Sequence, residues 1–325
     1  MTTYNVLGEI TAFDEKETVI SHQYARIRKI ENVEKCKNLK VGLYAITGTL
    51  QLISNCIEKI ENLENNLELE HLELYENSIK KIENICMLTN LKVLDLSFNK
   101  IRIIENIDTL VNLEELYLSS NKIAKIENLQ NCKKLRLLEL GYNKIRRIEN
   151  LESLTNLEEL WLGKNKIEEL NLPRFPKLKK LSLQHNRLTN WSVEAIKNIP
   201  QITELYLSYN KLSTIIENIK ELEHLKVFDL SYNEIRNILI CSELKSLEEL
   251  WLNNNNIGDI DMVKNLSENQ NLKTLYLEKN EIQDKLKEDY RTQIISILPQ
   301  LKQLDALLIS PIKVSCGQGT AGKTQ

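Results

Sequence analysis

Leu91-x-x-Leu94-x-Leu96-x-x-Asn99-x-Ile101 is the stretch that decides the fold. The same string returns as Leu113, Leu116, Leu118, Asn121, Ile123 and as Leu135, Leu138, Leu140, Asn143, Ile145. It returns once more as Leu157, Leu160, Leu162, Asn165, Ile167. Its asparagine recurs at positions 55, 77, 99, 121, 143, 165, 186, 210, 233, 255 and 280, in steps of 21 to 25 residues. Self-similarity at a fixed short period marks a stack of structural units. Within each unit the alternating leucine pair reads as a short strand with both leucines on one face. One strand cannot bury that face, but stacked copies share one continuous core. The asparagine sits where the strand ends, where its side chain can bond freed backbone groups and form a ladder through the stack.

The string resembles the leucine-rich-repeat pattern. That resemblance implies an α/β solenoid, a horseshoe with a parallel concave β-sheet, short convex helical turns and a C-terminal cap. A second signature follows each strand turn: Ile82-Glu83-Asn84, Ile104-Glu105-Asn106, Ile126-Glu127-Asn128 and Ile148-Glu149-Asn150. Its Ile closes the core from the convex side, and its Asn is placed to cap a short helical or 3₁₀ turn. Tyr290 to Asp305 breaks the period and carries Ile294, Ile297, Leu298 and Leu301 at helical spacing, which predicts a capping helix and a final strand. The expected organisation is an N-terminal tail over 1–21, about eleven repeats over 22–282, a cap over 283–309 and a disordered tail over 310–325. Ile27 to Asn32 reads as the second half of a partial repeat. Residues 41–48 read as an irregular insert, because removing them restores the spacing of the Ile-Glu-Asn asparagines; a surface loop, a functional insert and a gene-model error are the alternatives.

Composition narrows the function classes. Lys and Arg total 43 and Asp and Glu total 46, a net charge of −3 that argues against binding nucleic acid by bulk positive charge. No apolar run reaches the ~20 residues of a membrane span, and the N-terminus lacks the apolar stretch of a signal peptide. Six cysteines without metal or redox spacing read as reduced, mostly buried thiols. His22, His71, His185 and His224 lie on different repeats with no evident partner, so no catalytic, metal or cofactor site is expected. Gly317 to Thr324 matches the G-x-x-x-x-G-K-[ST] phosphate loop. Only Gln325 follows it here, so the helix that such a loop needs, and with it nucleotide binding, is not expected.

The residue between the two strand leucines points away from the core. In order that column is Gln51, Glu73, Asp95, Tyr117, Glu139, Trp161, Ser182, Tyr206, Asp229, Trp251 and Tyr276. Aromatics are 6% of the chain yet fill five of these eleven places. Two residues earlier on the same face stand Glu115, Glu159, Glu204 and Glu249. β-Propensity and solubility explain some of this. Alternating acids and large rings on a bare face fit a protein interface better, with Lys or Arg on the partner.

The Ile-Glu-Asn repeats, the strings Leu94 to Asn99 and Leu160 to Asn165, and the Tyr290 to Asp305 cap together resemble the leucine-rich-repeat regulatory subunit of type-1 serine/threonine protein phosphatase. The resemblance runs from about His22 to Ile309. It implies a non-catalytic subunit, nuclear and cytoplasmic, that grips the phosphatase catalytic subunit with its concave face as a monomer in a heteromeric complex. It places contacts on Asp95, Tyr117, Glu139, Trp161, Asp229, Glu249, Trp251 and Tyr276, to which the column adds Tyr206. Tyr117 and Trp161 stand where that family can carry Phe, and the insert at 41–48 departs from it. The alternative is a structural adaptor in a ribonucleoprotein or axonemal assembly, where similar repeats occur. Neither reading involves nucleic acid or membrane.

Overall fold

A computed structural model describes residues 5–7, 19–31 and 48–309. The insert, except Gly48, and the phosphate-loop string lie outside the described residues, as do Cys36 and Cys316. Fourteen strands form one sheet in almost strict chain order. It opens with β2 (Val19–Ser21) and β4 (Gly48–Gln51). The central rungs are β5 (Leu69–Glu73), β6 (Val93–Asp95), β7 (Glu115–Tyr117), β8 (Leu137–Glu139), β9 (Glu159–Trp161), β10 (Lys180–Ser182) and β11 (Glu204–Tyr206). It ends with β12 (Val227–Asp229), β13 (Glu249–Trp251), β14 (Thr274–Tyr276), β15 (Gln303–Leu304) and the antiparallel β16 (Leu307–Leu308). Every other pairing in this sheet is parallel, and equivalent repeat positions face each other, as in Leu116 beside Leu138 and Tyr117 beside Glu139. The strand leucines and the isoleucines after each asparagine make one buried core running the length of the stack.

The expected asparagine ladder is present. Asn121 donates from Nδ2 to the carbonyls of Leu118 (3.2 Å) and Ser119 (3.2 Å) in its own turn, and to Leu96 (2.9 Å) one repeat back. Its Oδ1 accepts from Ile101 N–H at 2.9 Å. The same set recurs at Asn77, Asn99, Asn143, Asn165, Asn186, Asn210 and Asn233, all buried. One amide thus satisfies backbone groups of two repeats that water cannot reach. At the C-terminus Asp305 takes over the accepting half, receiving Leu277 N–H (2.8 Å) and Glu278 N–H (2.9 Å) on Oδ1.

The residue before each ladder asparagine, from Ser54 to Lys279, has φ between 52° and 56°. None of these eleven is glycine, although the left-handed region disfavours side chains. The ladder bonds hold the turn in that conformation. This explains how a chain with only 9 glycines in 325 residues builds a sharp turn in every repeat.

The Ile-Glu-Asn asparagines do not cap helices, contrary to the expectation. Asn84, Asn106, Asn128 and Asn150 are themselves left-handed, with φ of 59° to 64°. Each donates to the Ile carbonyl one repeat back, for example Asn106 to Ile82 at 2.7 Å and Asn150 to Ile126 at 2.7 Å. They form a second inter-repeat ladder. The return segments that follow are successive i to i+3 turns, such as Leu88 N–H to Ile85 and Leu91 N–H to Leu88. Among the described residues of the stack, helical turns appear from the repeat after Asn186 onward. These are α1 (Val193–Lys197), α2 (Ile260–Asn265) and 3₁₀ turns at Glu217–Glu221 and Leu239–Glu243.

Both ends differ in detail from expectation. The sheet begins at Val19, three residues ahead of the expected tail boundary, and β1 (Asn5–Val6) pairs in parallel with β3 (Ile27–Lys29) in a small separate sheet. At the other end α3 (Glu281–Leu286) leads into the cap helix α4 (Tyr290–Ile297), which covers the last rung with Ile294, while Leu298 and Leu301 continue the cover beyond it. Arg291 ties α4 to the carbonyls of Leu304, Leu307 and Leu308. Among the described thiols, Cys132 and Cys241 are buried in the core, Cys56 is half-buried and Cys86 is exposed. Burial pushes the Cys132 thiol up to about 11 and the Cys241 thiol up to about 12, so both stay protonated at neutral pH. No helix among the described residues is long and apolar enough to cross a membrane.

Asn121→Ala removes four bonds and strands buried carbonyls. It should cost about 3 kcal/mol or more in urea unfolding. Asn112, whose solvent-exposed bonds run to the Thr89 carbonyl and from Lys134 Nζ, should lose less than about 1 kcal/mol on the same change.

Candidate interaction surface

The strict register aligns side chains into columns: the middle residue of each strand points into the core, and the last residue faces the hollow of the sheet. Tyr117, Glu139, Trp161, Tyr206, Trp251 and Tyr276 all lie there, half-buried against one another. Trp161 and Tyr206 stack at 6.3 Å between centroids although a whole strand separates them. The intervening residue is Ser182, small enough for the rings to lean together over it. Tyr206 and Trp251 meet edge to face at 6.5 Å over Asp229, and Trp251 meets Tyr276 the same way at 5.6 Å. Four rings therefore make one continuous aromatic band across β9 to β14.

The acids beside the band hold the polar tips of the rings. Tyr117 Oη donates to Glu115 at 2.8 Å, Trp161 Nε1 to Glu159 at 3.1 Å and Tyr206 Oη to Glu204 at 2.8 Å. Burial and these carboxylates raise both phenols above their ordinary range. Tyr276 Oη instead accepts from Gln303 of the cap at 2.7 Å. Trp251 breaks the pattern: its buried Nε1 has no acceptor among the described residues, Glu249 included.

Asp229 leaves the expected contact set. It is 1% exposed, roofed by the rings of Tyr206 and Trp251. Its Oδ1 accepts from Ser231 N–H (2.9 Å) and Oγ (2.6 Å), and its Oδ2 from Gln184 Nε2 (3.1 Å). It is a fully bonded support for the band and presents nothing to a partner. Ser182, also in the column, is buried in the same way.

Two features escape a reading by residue type. Lys180 stands in the glutamate column between Glu159 (3.5 Å) and Glu204 (3.8 Å), so the acidic stripe is interrupted where the Trp161–Tyr206 pair sits. A second aromatic row runs along the left-handed positions at the sheet edge. His185, Tyr209 and Tyr232 stack face to face at 3.9 Å each, Lys164 lies 4.3 Å over the Tyr142 ring, and Phe98 of the row meets Tyr75, which lies outside it, at 4.9 Å. The position one before each ladder asparagine is the signal that would have revealed it.

With the architecture and surface in view, the relationships are clear. Residues 67–110, 89–131, 111–153, 133–174 and 223–265 match "Leucine Rich repeats (2 copies)", residues 176–235 match "Leucine rich repeat" and residues 268–285 match a further leucine-rich-repeat family. The chain belongs to the leucine-rich repeat family. Among solved structures it is similar to an internalin of Listeria monocytogenes, with a TM-score of 0.69 and 25% identity over 91% of this chain and 88% of that one. A leucine-rich-repeat protein of Leptospira interrogans gives 0.67 and 26% over 85% and 74%. Fibromodulin of Oryctolagus cuniculus is 36% identical over 93 residues, 27% of this chain, and the match spans 62% of that relative's length. These likenesses share an open solenoid whose fold is that of a protein-interaction scaffold.

Three carboxylates on the hollow face stand near enough to repel. Burial and then the Glu73 carboxylate raise Asp95, against the opposing bonds from Ser97; burial and then Asp95 raise Glu139. A carboxyl whose pKa is raised by folding takes stability away once it ionises. Asp95→Asn/Glu139→Gln should therefore raise the melting temperature at neutral pH. The gain should shrink as pH falls through the native titrations of the two carboxyls, where the parent chain is relieved of the same charge.

Proposed function

We propose that this chain is a non-catalytic regulatory subunit that holds the catalytic subunit of type-1 serine/threonine protein phosphatase on its hollow face. The observation that carries the reading is the band Trp161, Tyr206, Trp251 and Tyr276, flanked by acids and uncovered by any other part of the described chain. Large rings on a rigid support lose little entropy on binding and anchor protein interfaces. The acids on the same face, Asp95, Glu139, Glu159 and Glu249, select a partner that brings Lys or Arg. The cost of Asp95 and Glu139 to stability is the kind that a binding face carries and a purely structural face sheds. The contact set is Asp95, Tyr117, Glu139, Trp161, Tyr206, Glu249, Trp251 and Tyr276. The same reading places the protein in nucleus and cytoplasm, monomeric by itself and working in a heteromeric complex.

Calorimetry against the purified phosphatase catalytic subunit tests it. Trp161→Ala and Trp251→Ala should each weaken binding by ~2 kcal/mol or more with circular dichroism unchanged. Full-strength binding by both variants would remove the reading. Affinity purification that recovers spliceosomal or ciliary proteins without phosphatase would favour the adaptor role instead.

A further inference from the structure

The residue after each ladder asparagine lies on the flank of the solenoid, beyond the edge row of rings. From the third to the eighth ladder position it is Lys100, Lys122, Lys144, Lys166, Arg187 and Lys211 without interruption. All are exposed except the half-buried Lys166. Their backbones are fixed. Each N–H donates to a carbonyl one repeat back, as Lys122 does to Ile101 (2.8 Å), Lys144 to Ile123 (2.7 Å) and Lys166 to Ile145 (2.8 Å). The cations therefore rise in single file, about one strand spacing (~4.8 Å) apart.

The opposite flank shows what a charge row of this fold does when it serves stability alone. There Lys92 pairs with Glu70 at 2.8 Å, Lys179 with Glu158 at 2.9 Å, and Lys226 and Lys273 share Glu248 at 3.3 and 2.7 Å. Those pairs hold Glu158 and Glu248 below the ordinary carboxylate range. In the single-file row only Arg187 has an acid, Glu168 at 3.4 Å. Lys122, Lys144, Lys166 and Lys211 have no ion-pair partner among the described residues, and Lys100 reaches only Ser78 Oγ. A run of like charges one strand apart is self-repulsive, and among the described residues only the Arg187–Glu168 pair offsets it.

We propose that this flank is a second docking surface, for an acidic segment of polypeptide in extended conformation. Charge selects an anion, and shape selects a narrow one. The row is one residue wide and the acids of the hollow face occupy the same repeats, so a broad polyanion meets repulsion on that side. The neighbouring rings are already engaged: His185, Tyr209 and Tyr232 stack on one another, Lys164 lies over Tyr142 and Phe98 packs on Tyr75, which leaves a poor platform for bases. An extended peptide presents same-face side chains about every 6.8 Å, a mismatch that flexible lysine stems absorb. The row lies on a different face from the phosphatase grip and does not depend on it.

Fluorescence anisotropy on the full chain tests the proposal. A labelled peptide of alternating Glu and Ser should bind saturably, and raised salt should weaken it. A Gln-Ser peptide should not bind. Lys122→Glu/Lys144→Glu/Lys166→Glu should lose at least tenfold in affinity, and Lys122→Gln/Lys144→Gln should lose less, in the same direction, with an unchanged melting curve. Lys92→Glu/Lys179→Glu, on the paired flank, should bind like the parent. The proposal is overturned by absence of saturable binding, or by equal losses from the two flanks. It is likewise overturned if single-stranded DNA of equal charge binds as tightly as the peptide.

Discussion

A primary amide buried at the end of every strand is the interaction on which this molecule depends. The turn that reverses each repeat leaves carbonyls and an N–H facing the interior, where an unsatisfied group costs ~1–3 kcal/mol. The ladder asparagine meets those of its own repeat and of the one before with a single side chain. Because the bonds cross between repeats, they set spacing and register as well as stability. Each left-handed residue before an asparagine is held against its own preference by the same bonds.

Register turns a repeating sequence into surfaces. A residue type that recurs once per repeat becomes a row with a strand's spacing, and rows differ in what they do with their charge. On one flank acids and bases alternate and neutralise each other. On the hollow face acids crowd near rings, and on the other flank the described cations, Arg187 apart, have no acid partner. The crowded Asp95 and Glu139 work against folding, in contrast to the first arrangement. A solenoid tolerates them because its stability is a sum over core rungs that those columns do not enter.

Much of this was legible in the order of residues. The strand leucines and the asparagine repeat at fixed spacing, so fold class, parallel sheet, ladder and the columns of the hollow face follow from counting. The helical spacing of Ile294, Leu298 and Leu301 marked the cap for the same reason. What escaped depends on neighbours in space. Asp229 looked like Asp95 in the column, but its neighbours on both adjacent strands are aromatic and close over it. The Ile-Glu-Asn asparagines had the composition of a helix cap. Only the backbone shows that they are left-handed and bond backwards to the preceding repeat. At the N-terminus, Val19–Ser21 carries no leucine pair and no ladder asparagine, so its place in the sheet left no signal.

Hydroxyl-radical footprinting of the chain alone and with phosphatase catalytic subunit tests the central claim most directly, since aromatic side chains report their own exposure. The account predicts that Tyr117, Trp161, Tyr206, Trp251 and Tyr276 lose reactivity together in the complex, while Tyr142, Tyr209 and Tyr232 on the edge keep theirs. Protection confined to the edge or the convex side, with the hollow-face rings as reactive as before, would contradict it.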